Sequence, residues 1–100
     1  MKILAVERDV PGAEDGAYTE ALLRAEALRA WELYQEGIVR EIYFRADRTE
    51  AVIMLECASV DAARAALDTL PLVQAGLVAF DFIPLKAYPG FARLFAAGED

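Results

Sequence analysis

EGIVREIYFR, residues 36–45, carries a helix end straight into a strand, and its reading sets the rest of the chain. Gly37 follows the last helical residue, at the position where a positive φ closes a helix. Apolar and β-branched residues then alternate with charged ones, which predicts a strand over 38–46. Upstream, Leu23, Ala27, Ala30, Trp31 and Tyr34 recur at helical spacing, with Arg24, Glu26, Arg29 and Glu32 outside that stripe. Asp15 and Thr19 are the candidate caps of this helix. Downstream, Asp47-Arg48-Thr49-Glu50 is a polar link of hairpin length before the third strand, over 51–57, the strand over 38–46 being the second.

Further out, Ser59 caps a second helix, with Asp61 in its first turn favoured by the helix dipole. Val60, Ala63, Leu67 and Leu70 form its buried stripe and Pro71 ends it. At the front, KILAV (residues 2–6) reads as a strand that Pro11-Gly12 interrupts. At the back, Gly76 precedes a strand over about 77–85, whose Pro84 suits an edge position. The order βαββαβ is that of an α+β, ferredoxin-like domain. It spans 1–87, and the tail 88–100 is expected to pack on a neighbouring subunit through Phe91, Leu94 and Phe95.

Alternation along the strands sorts residues onto two sheet faces. Leu4, Val6, Ile42, Phe44, Ile53, Leu55, Val78, Phe80 and Phe82 form a wholly apolar set, expected under the helices. Ala5, Glu7, Val39, Glu41, Tyr43, Arg45, Val52, Met54, Glu56, Ala79, Asp81 and Ile83 form a mixed set. Four acids are too many for a dry core, and Val52, Met54 and Ile83 are too apolar for a wet surface. A second copy covering this face, with a polar cavity left between the sheets, satisfies both and predicts a dimeric α+β barrel.

Composition narrows the functional classes. The chain has 100 residues, 57% of them hydrophobic, and a net charge of −7. The apolar excess over the usual ~45–50% suggests surface buried by a partner. Lys occurs only at Lys2 and Lys86, so neither nucleic acid nor an anionic membrane is an expected partner. Histidine is absent, which removes His-based triads, His metal ligands and a proximal-His haem. Cys57 is the only cysteine, and without a neighbouring base it reads as a buried, inert thiol. No signal sequence or membrane-length apolar run is visible, so a cytoplasmic protein is expected.

Residues 36–72 resemble the central block of the muconolactone isomerase family: the Glu36-Gly37 helix end, Arg40, Ser59-Val60 and Leu70-Pro71-Leu72. The resemblance implies a ferredoxin-like protomer, a homodimer or a ring of dimers, and cofactor-free proton transfer on an unsaturated lactone. Where the family's namesake has His and Trp in the second strand, this chain has Glu41 and Tyr43.

The mixed face supplies the chemistry for such a reaction. Glu56, Glu41 and Tyr43 are the candidate catalytic residues. Arg40, Arg45, Glu7 and Asp81 are the candidate substrate-binding residues, the arginines for a small anionic ring. A carboxylate desolvated beside Val52 and Met54 would have a raised pKa and act as acid or base. Glu56 is the first choice because its strand is central. No metal and no cofactor are expected. The competing readings are salt bridges across a dimer interface in a structural or ligand-binding barrel, and a cofactor-free monooxygenase.

Overall fold

The structure is a computed structural model, and it describes residues 1–13 and 15–95. Four antiparallel strands form one sheet: β1 (Lys2–Arg8), β2 (Val39–Phe44), β3 (Ala51–Glu56) and β4 (Ala79–Pro84), in the order β2-β3-β1-β4. Helices α1 (Glu20–Gln35) and α2 (Val60–Leu67) and the single turn α3 (Pro71–Gln74) cover one face. This is the expected α+β, ferredoxin-like arrangement, with Pro84 on an edge strand.

Local chemistry fixes the ends. The Thr19 hydroxyl accepts from the Leu22 amide at 3.2 Å and opens α1; the Ser59 hydroxyl does the same for Ala62 at 3.1 Å and opens α2. Gly37 has φ +80° and lets the chain leave α1 straight into β2. Pro71 was expected only to end a helix. It instead occupies the first turn of α3, where its missing N–H costs nothing, while α2 has already stopped at Leu67.

The core lies between the sheet and the helices, with Ile3, Leu33, Val39, Ile53, Leu55 and Leu67 fully buried. Three expectations about faces are corrected. In β1 it is Ile3, Ala5 and Glu7 that point to the helices, and Leu4 and Val6 that point away: Ala5 pairs with Ile53 and Phe82, whereas Val6 pairs with Val52 and Asp81. KILAV is apolar at both parities, so hydrophobicity could not choose between them. In β2 a bulge at Arg40 shifts the register between Val39 and Glu41. Val39 is thereby turned into the core while Glu41 and Tyr43 stay on the open face. In α1 the more buried residues include Leu22, Glu26, Ala30 and Leu33; Leu23 and Ala27 of the expected stripe reach the cleft, while Trp31 and Tyr34 do not turn inward. Trp31 and Tyr34 stack on each other at 5.6 Å and remain half-exposed.

The face away from the helices carries Leu4, Val6, Val52, Met54 and Ile83 among Lys2, Glu41, Tyr43, Glu56 and Asp81. Beyond β4, Tyr88, Phe91, Leu94 and Phe95 are exposed, with Phe91 edge-on to Tyr88 at 5.0 Å. The expected tail continues through 96–100, which lie outside the described residues.

Candidate functional site

The open face does not gather its polar residues into one pocket. Glu56 Oε2 accepts from the Met1 ammonium at 2.6 Å, and this bond draws its carboxyl below the usual range, opposite to the desolvation expected there. Tyr43 donates to Glu41 at 2.8 Å, which raises the phenol, and its side chain stands in the open at 60% exposure. Asp81 accepts from Arg8 at 3.1 Å. Arg45 forms a two-pronged pair with Asp47 at 2.9 and 2.6 Å and reaches Glu50 at 3.7 Å, so it faces its own hairpin. Arg40, extruded by the bulge, donates to the Gly37 carbonyl at 2.6 Å. Of the seven residues singled out from the sequence, Glu7 alone lines the helix-side cleft.

That cleft lies between α1 and the sheet and encloses about 260 Å³. Its floor is Val39, Ile42, Phe44, Ala51, Ile53 and Phe80, and its roof is Leu23, Glu26, Ala27, Ala30 and Leu33 of α1. Leu67, Leu70 and Leu72 close its inner end. Phe44 at the mouth is 70% exposed, so an apolar rim meets solvent there. An apolar cavity of about 150 Å³ accommodates benzene, and this one has room for a single substituted ring.

Among the described residues, two carboxylates are the only charged groups lining the cleft. Glu7 enters from β1, and its Oε1 accepts from the Ala51 amide at 2.8 Å. Glu26 enters from α1, and its Oε1 accepts from the Leu72 amide at 2.9 Å in the first turn of α3. Burial pushes both carboxyls up, against the opposing pull of those amides. Glu26 is raised further by the negative charge of Glu7, and Glu7 by Glu50 and Asp9. A raised carboxyl in an apolar cleft, fixed by one backbone amide, is equipped to exchange a proton with a bound molecule.

The cations around the cleft are held outside it. Arg29 on α1 donates to Thr69 at 2.8 Å and to Glu32 at 3.0 Å, tying α1 to the link between α2 and α3. Arg48 pairs with Glu50 at 3.0 Å beyond Glu7. Arg64 lies over the Phe82 ring at 4.7 Å. Cys57 packs against the core half-buried, and burial pushes its thiol up. Among the described residues no three acids or thiols converge as metal ligands.

Glu26 was missed in the sequence because α1 is apolar on more than one side, and the stripe through Trp31 and Tyr34 reads as strongly as the buried one. The available signal was the spacing Leu22, Glu26, Ala30, Leu33, in which a carboxylate takes a core position.

A four-stranded antiparallel sheet with helices on one face and an apolar, carboxylate-lined cleft between them defines a ferredoxin-like α+β domain. Solved structures share that frame. Muconolactone isomerase superposes with a TM-score of 0.72 at 22% identity, covering 100% of this chain and 98% of that one. The 5-chloro-2-hydroxyhydroquinone dehydrochlorinase of Burkholderia phenoliruptrix AC1100, in complex with 2,5-dihydroxybenzoquinone, gives 0.58 at 18% identity, covering 90% and 98%. Identities this low establish the fold. No protein-family profile and no curated protein sequence matches the chain.

Proposed function

We propose that the protein is a cofactor-independent enzyme of the isomerase kind, moving a proton within a small unsaturated ring bound between α1 and the sheet. The observation that carries the reading is the pair Glu7 and Glu26, raised by burial in a ring-sized apolar cleft. Muconolactone isomerase and the dehydrochlorinase, which share the frame, are by name enzymes of small rings. Glu7 is the base: as carboxylate it takes a proton from the carbon next to the ring carbonyl. Glu26, whose carboxyl burial pushes up, in its protonated form donates a hydrogen bond to the carbonyl oxygen as negative charge develops there. Glu7 then returns the proton to the far end of the conjugated system. One C–H bond breaks, one forms, the double bond moves, and no oxidant or metal enters the balance.

The open-face residues Glu56, Glu41, Tyr43, Arg40, Arg45 and Asp81 have a different part in this reading, as surface for a second copy. The test is a panel of unsaturated lactones and cyclic enones followed by ultraviolet absorbance. Glu7→Gln should lower kcat by about 10²–10⁴-fold, the usual range for a lost acid or base, and Glu56→Gln should leave it unchanged. Loss of turnover in Glu56→Gln with Glu7→Gln fully active would return the chemistry to the open face. Ring binding without turnover would make the protein a non-catalytic ligand-binding domain.

A further inference from the structure

The cleft's charge balance selects among rings, and this selection rests on the reading that the cleft is the ligand site. Among the described residues, both polar side chains in the lining are carboxylates, and no Lys or Arg lines it. The nearest arginines are committed elsewhere: Arg8 to Asp81, Arg48 to Glu50 and Arg29 to Thr69 and Glu32. The arginines expected from the sequence to hold an anionic substrate, Arg40 and Arg45, bind the Gly37 carbonyl and Asp47. An anion entering here would lose its hydration, meet no cation and face the Glu7 carboxylate, of its own sign. Each of those costs is large in an apolar site.

Each carboxyl group has one oxygen occupied by a backbone amide and its other oxygen left over. Glu7's second oxygen, entering from β1, accepts from a ring hydroxyl, and Glu26's, entering from α1 and protonated in the proposed reading, donates to a second oxygen of a ring lying between sheet and helix. The apolar remainder of the lining offers the ring faces contact and offers a compact, strongly hydrated ammonium none beyond the two acids. We therefore propose that the cleft selects an uncharged, hydroxyl-bearing ring over its carboxylate-bearing or amine-bearing counterparts, with Glu7 accepting a ring hydroxyl hydrogen and Glu26 donating to a second ring oxygen.

Calorimetric titration of the intact chain at pH 7 tests this with hydroquinone, its carboxylated analogue gentisate, and benzylamine against benzyl alcohol. Hydroquinone should bind about tenfold or more tighter than gentisate, since like-charge contacts cost a kcal/mol or more. In the Glu7→Gln, Glu26→Gln double variant hydroquinone should weaken and the gap to gentisate should narrow. Circular dichroism of the variant, with each single variant as a second check, guards against a folding defect. Tighter binding of gentisate than of hydroquinone, or of benzylamine than of benzyl alcohol, would overturn the proposal. So would no binding of hydroquinone up to millimolar concentration. The two readings fail separately. Glu7-dependent turnover of carboxylated rings alone would keep the proton transfer and discard this selection. Glu7-dependent binding of neutral rings without turnover would do the reverse.

Discussion

Glu7 and Glu26 are held in the cleft by the Ala51 and Leu72 amides, so the proposed chemistry and stability are linked at single residues. Burial raises both carboxyls above their ordinary value of 4.5. A raised carboxyl binds its proton more tightly folded than unfolded. Its protonated form therefore stabilises the fold at low pH, and that contribution is lost as pH rises from about 4.5 through the folded-state value. Glu56 and Asp47 are lowered, by the Met1 ammonium and by Arg45, and act in the opposite sense: their contribution is present above the ordinary range and lost as pH falls through the folded value. Urea unfolding of wild type and Glu26→Gln, repeated across pH 4–7, separates the two. The stability of Glu26→Gln relative to wild type should increase as pH rises; a constant difference would show that burial does not act on Glu26. Glu7 was legible as a strand carboxylate but not as a cleft residue, because the face of β1 is decided by its partners Ile53 and Phe82 rather than by its own sequence.

At the scale of elements, the order of strands and helices was readable because each boundary has its own local signal. Ser59, Thr19 and Gly37 act within a few residues of themselves. The bulge at Arg40 and the extra turn α3 were not readable, since both answer to distant partners: Val39 to Leu55, and the Leu72 amide to Glu26. The local signals give direct tests. Ser59→Ala removes the acceptor of the Ala62 amide and should cost about 1 kcal/mol. Gly37→Ala meets no crowding, its nearest neighbour being the Arg40 side chain at 3.9 Å, so only the left-handed backbone penalises it, by about 1–2 kcal/mol. Denaturant melts of the two variants check both figures, and a neutral Gly37→Ala would mean that the α1–β2 corner relaxes to negative φ.

For the molecule as a whole, the apolar residues left outside the core include, besides Leu28, Trp31 and Tyr34 on α1 and Phe44 at the cleft mouth, the open sheet face around Val52 and Met54 and the segment from Tyr88 to Phe95. Pairing of two copies through the sheet is the proposal that covers the sheet face, and docking of the tail on a neighbouring copy covers the segment. Sedimentation at micromolar concentration should show a dimer or a multiple of dimers, and Met54→Glu should shift it toward monomer with the circular dichroism unchanged. A monomeric wild type would remove the barrel. Truncation after Ala87 should lower the order of assembly, and an unaltered one would make the tail dispensable. Function was the least legible level, because six of the seven candidate residues were chosen for one face by strand alternation, which says nothing of a cleft formed with a helix on the other. The location of the site is therefore the central claim, and amide chemical shifts measured during a hydroquinone titration test it most directly. The Ala51 and Leu72 amides, which donate to Glu7 and Glu26, should move together with Phe44 at the mouth, while Leu4 and Ile83 on the open face stay still. Shifts confined to Leu4, Met54 and Ile83 would contradict the account and place binding on the far side of the sheet.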